Sequence, residues 1–157
     1  MNKEEIYKNI ILQVRGLTSA EKDLIANLAN ISAVLYNNLE EVNWAGFYLW
    51  QEDQLVLGPF QGKSACVRIA KGKGVCGSAV EKKETLVVKD VHDFPGHIAC
   101  DAASRSEIVV PIIIDNQIKG VLDIDSPITE RFDEVDQGYL EEVVDILIRE
   151  TEWNYKI

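Results

Sequence analysis

Three cysteines, Cys66, Cys76 and Cys100, and three carboxylates, Glu107, Asp123 and Asp125, occupy the middle of this 157-residue chain. An odd number of thiols cannot all pair within one chain, and a reducing compartment keeps structural disulfides open, so the chemistry on offer is that of free thiols: nucleophilic attack, oxidation or metal ligation. The spacing matches no CxxC ribbon or knuckle, although His92 and His97 could complete a set of four ligands. Taken one at a time, each cysteine is equally readable as a small buried hydrophobe.

The carboxylates carry more information because strand alternation groups them. Along "IKGVLDID" the period of two sends Ile118, Gly120, Leu122 and Ile124 to one face and Lys119, Val121, Asp123 and Asp125 to the other. Glu107 has the parity opposite to Ile108 and Val110, which puts it on the same polar face if the two segments pair. A solvated sheet face is the ordinary explanation of such charges. Three acids clustered on a twisted sheet nevertheless repel one another unless a cation, a proton or a bound ammonium neutralises them. Trp44, Gly46, Tyr48 and Trp50 share one parity of another strand; they suit either core packing or the apolar wall of a pocket. An acidic floor beneath an aromatic wall would suit an amino acid.

The elements that must position these groups are legible from periodicity. Ile6, Ile10, Val14 and Leu17 recur at helical spacing, and "TSAE" predicts a second helix with Thr18 as N-cap and Glu21 closing a capping box. Its apolar stripe runs through Leu24, Leu28, Ile31, Leu35 and Leu39. From Val42 the period changes to that of an aromatic hairpin turning at "ED", with "CVRIA" as a third strand opening at Cys66. Gly72 and Gly74 precede a short helix with Cys76 near its start, and "TLVVKD" is a strand. "DFPGHIACDAAS" reads as a turn with a short helix, followed by a hairpin about Asp115 and Asn116 in which Pro111 requires an edge or a bulge. Val135, Tyr139, Val143, Ile146 and Leu147 return to helical spacing. The expected architecture is α+β, a mostly antiparallel sheet flanked by N- and C-terminal helices, with a ligand pocket on the opposite face and one domain over residues 1–157.

Composition limits the partners. A net charge of -10 repels a nucleic-acid backbone and an anionic bilayer alike. "MNKEEIYKNI" has neither the basic nor the apolar region of a signal peptide, and no apolar run approaches the roughly 18 residues of a membrane span. A cytoplasmic protein without nucleic-acid or membrane partners is expected.

The words "NWAGFYL", "LGPFQGKSACVRI", "GKGVCG", "FPGHIACDAASRSEIVVP" and "GVLDIDSP", followed by "FDEVDQ", resemble those of the free methionine-(R)-sulfoxide reductases, enzymes of the GAF fold. The resemblance spans roughly Val42 to Gln137 and keeps all three cysteines in their surrounding words. It implies reduction of free methionine (R)-sulfoxide under oxidative stress, with no metal and no organic cofactor. The family's nucleophile falls on Cys100, and Cys66 and Cys76 fall on its other cysteines; the implied cycle passes through a sulfenic acid and an intramolecular disulfide, and thioredoxin resets it. Cys66, after the "GPFQGK" turn, is the expected resolving thiol, Cys76 being more enclosed. Glu107, Asp123 and Asp125 are expected to hold the substrate or protonate its oxygen, with Trp44 and Tyr48 as walls. His97 is expected either to stabilise the Cys100 thiolate or to pack its turn, and backbone N–H groups from Val75 to Gly77 to meet the substrate carboxylate. A homodimer stays open. A non-catalytic GAF module that binds a small ligand or senses oxidants is the alternative.

Overall fold

A computed structural model describes residues 1–97 and 102–154. The chain runs α1 (Lys3–Thr18), α2 (Leu24–Asn38), β1 (Trp44–Gln51), β2 (Gln54–Gly62), β3 (Arg68–Ala70), α3 (Gly74–Lys82), β4 (Leu86–Val88), a single 3-10 turn (Val91–Asp93), β5 (Ser106–Ile114), β6 (Gln117–Ser126) and α4 (Glu134–Glu150). The six strands form one antiparallel sheet in the order β3-β2-β1-β6-β5-β4. Among the described residues, no helix is long and apolar enough to cross a membrane.

Alternation divides the apolar side chains between two cores. Ala45, Phe47 and Leu49 of β1, Ile108, Val110 and Ile112 of β5, and Leu122 and Ile124 of β6 pack against α1, α2 and α4. Trp44, Tyr48, Val109 and Val121 point the other way, to α3 and the segments around it. The expected GAF-type α+β arrangement is therefore present, and the second face is the one that carries the site.

Both hairpins turn where the sequence indicates. Glu52 and Asp53, and again Asp115 and Asn116, take the left-handed conformation at both central positions, which matches the right-handed twist of the flanking strands. Pro111 pairs with Val121 on one side, while β4 pairs with β5 only as far as Val109; a register shift follows at Ile112/Ile113. The missing N–H thus sits where one edge of β5 is uncovered.

Two local expectations need correction. Thr18 does not cap the second helix: it ends α1, where its hydroxyl donates to the Val14 carbonyl at 2.9 Å, and Asp23 caps α2 by accepting from the Ala26 N–H. The buried hydroxyl already has an acceptor in its own helix, which leaves the capping role to the next oxygen-bearing side chain in reach. Cys66 does not open a strand either, since β3 begins at Arg68.

The helical layer is tied together by Asp136, which is fully buried at the start of α4. Its carboxylate accepts from the Tyr7 hydroxyl at 2.6 Å and forms ion pairs with Lys3 at 2.7 Å and Arg131 at 3.1 Å. It also closes a capping box with Asp133. Burial and the adjacent carboxylate hold the Tyr7 phenol far above its ordinary pKa, so it remains a donor. Asp136→Ala leaves the Arg131 guanidinium and the Tyr7 phenol without their carboxylate, Lys3 keeping Asp133 at 2.9 Å, and is expected to cost about 3 kcal/mol, seen as a lower urea midpoint at unchanged slope.

Candidate active site

The acidic face of the β5–β6 hairpin is buried. Glu107 stands opposite Asp125 and Val109 opposite Asp123 across the ladder, and Asp123 and Asp125 face Gly46 and Trp44 of β1. Glu107 is 7% exposed and Asp123 6%, while Asp125 is half-buried. That burial excludes a solvated sheet face. It arises because α3 crosses the strands and lays Val75, Cys76, Ala79 and Val80 onto them.

Two glycines permit these close approaches. A side chain on Gly77 would run into the Ala70 carbonyl, so only glycine lets the first turn of α3 lie against the end of β3. A side chain on Gly46 would collide with Phe60, which instead stacks on Trp44 at 5.1 Å between ring centroids. Trp44 also stacks with Tyr48 at 5.9 Å. Both aromatic residues hold the Lys63–Cys66 segment: the indole N–H of Trp44 donates to the Lys63 carbonyl at 3.1 Å, and the Tyr48 hydroxyl to the Cys66 carbonyl at 2.9 Å.

Between this wall and α3 lies a cavity of about 50 Å³. Trp44, Tyr48, Cys76, Glu107, Asp123 and Asp125 all line it. His97, Ser64 and the Lys73–Val75 entry to α3 complete the rim. Of the aromatic residues grouped by parity, Trp50 is absent; it lies at the far end of β1, beside Lys71, Lys83 and Lys119. Parity assigns a face but not a position along the strand. Lys73 and Ser104 line the cavity without having been singled out by sequence, and the Ser104 hydroxyl accepts from the Asn43 amide at 3.2 Å. Asn43 opens the word "NWAGFYL", the one signal that pointed to it.

Cys76 is 4% exposed and is a free thiol, 3.9 Å from Oε1 of Glu107. Burial, reinforced by Asp123, Glu107 and Asp125, pushes its pKa well above the ordinary thiol value. It is held as a neutral thiol and a weak nucleophile. Native protein is therefore expected to leave Cys76 unmodified by iodoacetamide at pH 7.5, with alkylation appearing only on denaturation, as read by peptide mass. Cys66 is half-buried and disulfide-bonded. Cys100, with the short helix expected near His97, lies outside the described residues. Among the described residues, the Val91 N–H donates to the Arg105 carbonyl at 2.8 Å and the Arg105 N–H to that of Ser126 at 2.7 Å.

Burial, and then the charges of Asp123 and Asp125, raise the Glu107 pKa well above that of an ordinary carboxyl group, which favours its protonated form. Burial also raises Asp123, against the neighbouring Glu107 and Cys76, which favour its charged form. Burial lowers the His97 pKa, assisted by His92, which leaves a neutral imidazole at the rim. A protonated carboxyl, a neighbouring carboxylate and an aromatic wall can together bind a polar group and donate a proton to it.

The GAF domain family model matches residues 26–147. The free methionine-R-sulfoxide reductase of Escherichia coli is 54% identical over 144 residues, covering 92% of this chain and 87% of that protein. The enzyme of the same name from Saccharomyces cerevisiae is 46% identical over 155 residues, with 94% and 86% covered. This chain belongs to the free methionine-R-sulfoxide reductase family of GAF domains. The X-ray structure of the family member from Neisseria meningitidis, in complex with its substrate, superposes with a TM-score of 0.92 at 47% identity, covering 96% of this chain and 90% of that one.

Proposed function

We propose that this protein reduces free L-methionine (R)-sulfoxide to methionine by thiol chemistry at the cavity between β1, β6 and α3. The observation that carries the reading is the buried Glu107 facing the Trp44–Tyr48 wall in that cavity, where burial and the neighbouring acids favour its protonated form. The wall suits the S-methyl end of the substrate, while Glu107, with Asp123 and Asp125, suits a basic oxygen and an ammonium group. The substrate carboxylate meets the N–H groups at the start of α3, between Val75 and Gly77.

In this mechanism the Cys100 thiolate attacks the sulfoxide sulfur while Glu107 protonates the oxygen. The hydroxyl so formed passes from the substrate sulfur to the Cys100 sulfur as the bond between the two sulfurs breaks, so methionine leaves and Cys100 is left as a sulfenic acid. The Cys66 thiol displaces that oxygen as water and forms a disulfide, which a thioredoxin dithiol reduces by exchange. Overall, one sulfoxide and one dithiol give methionine, one disulfide and one water. The disulfide at Cys66 beside a free, buried Cys76 supports Cys66 as the resolving thiol. A reducing cytoplasm would supply the thioredoxin.

The test is incubation of the pure protein with separated (R) and (S) sulfoxides of free methionine, thioredoxin and a thioredoxin-reducing system, following methionine release. Turnover of the (R) form alone is expected. Binding of either isomer without release would move the assignment to a non-catalytic ligand-binding GAF module.

A further inference from the structure

Cys76 has no assigned step in the cycle above, yet it is buried at the floor of the cavity with two carboxylates against it. One ligand atom from each of Cys76, Glu107 and Asp123 lies within 4.8 Å of the other two. The Cys76 Sγ to Glu107 Oε1 separation is 3.9 Å. Zinc bonds of about 2.3 Å to sulfur and about 2.0 Å to oxygen at a tetrahedral angle place the two donor atoms about 3.5 Å apart, so a small inward movement of either side chain brings this pair to bonding distance. A further observation points to a ligand: Oδ1 of Asp123, a residue 6% exposed, has no hydrogen-bond partner and belongs to a carboxylate that lines the cavity. A buried acceptor left unmatched is costly, and a cation is one group that answers it.

We propose that Cys76, Glu107 and Asp123 form a binding site for a thiophilic divalent cation of the zinc class, which occupies the substrate cavity and inhibits the enzyme reversibly. The donor set is one sulfur and two carboxylate oxygens, all buried, with the fourth tetrahedral position open to the cavity and available to water. Binding replaces two protons, that of the Cys76 thiol and that of the Glu107 carboxyl group, which leave to solvent, and the metal's two positive charges offset the thiolate and carboxylates so formed. The cation and the substrate compete because both require Glu107 and Asp123. Since Cys76 is free while Cys66 is disulfide-bonded, the site persists in the oxidised enzyme, when no substrate can be turned over. The inference shares its residues with the reductase reading but does not require turnover.

That independence sets the experiment. Protein oxidised so that Cys66 is disulfide-bonded is titrated with cobalt(II) as a spectroscopic substitute for zinc, without any dithiol present to compete for metal. One equivalent is expected to give a thiolate-to-cobalt charge-transfer band, and zinc is expected to abolish it by displacement. Cys76→Ala should lose the band. Asp123→Asn should keep it with affinity weaker by about tenfold or more, and circular dichroism checks that both variants are folded. Free methionine (R)-sulfoxide should raise the apparent Kd of the parent, and zinc should suppress methionine release by the reduced protein until a chelator is added. Absence of the band in the parent, or unchanged cobalt binding by folded Cys76→Ala, overturns the site. Neither result bears on methionine release, so failure of the metal site and failure of the reductase reading remain distinguishable.

Discussion

Cys100→Ser is expected to release no methionine even in a single turnover, whereas Cys66→Ser is expected to release one equivalent and then stall with thioredoxin. The first follows from nucleophile chemistry: a serine hydroxyl is essentially un-ionised near neutral pH and cannot replace a thiolate at sulfoxide sulfur. The second follows from the division of labour between the other thiols. Cys76 is buried, neutral and pressed against Glu107, and its α3 turn is locked onto Ala70 through Gly77, so it is poorly placed to swing toward a sulfenate. Cys66 sits in the loop before β3, with its carbonyl held by Tyr48, directly after Ser64 and Ala65, which line the cavity. Quenched-flow counting of methionine, with non-reducing peptide mapping after one equivalent of sulfoxide, separates the steps. A Cys76–Cys100 crosslink together with normal turnover by Cys66→Ser would reverse the roles of Cys66 and Cys76.

Much of this site was legible because a period of two is a strong constraint. Alternation alone places Glu107, Asp123 and Asp125 on one face, and the ladder sets Glu107 opposite Asp125. What alternation cannot supply is depth. The same acids would be solvated if α3 did not cross them, and that crossing depends on Gly77 meeting a carbonyl from a different element. For the same reason Trp50 shared a parity with Trp44 and Tyr48 yet lies beyond the cavity. The misplaced N-cap has a different origin. A Ser/Thr-x-x-Glu pattern states only that a cap could form, and Thr18 was already bonded to Val14 within α1 while Asp23 stood nearer the apolar stripe. Lys73 and Ser104 reach the cavity through tertiary folding with no periodic signal to mark them.

Glu107→Gln is expected to lower turnover by about two to four orders of magnitude while leaving the fold intact, because a positioned general acid contributes on that scale and an amide cannot give up a proton to the leaving oxygen. The kcat should fall more than KM changes, since glutamine still fills the space and still donates a hydrogen bond to the bound oxygen. Stability should respond in the opposite sense at high pH. The folded-state pKa of Glu107 is raised, so above the ordinary carboxyl range the unfolded chain has lost this proton while the folded chain keeps it. The native state then binds more protons than the unfolded state, and stability falls as pH rises from the ordinary glutamate value toward the raised one. Glutamine carries no such proton. Urea denaturation from pH 5 to pH 8 should therefore show a decline in the parent that is shallower in Glu107→Gln, leaving the variant at least as stable at the alkaline end. A variant with parental turnover would remove Glu107 from the proton-donor role. One that is slow but also loses stability equally at every pH would make Glu107 a structural residue instead of an acid.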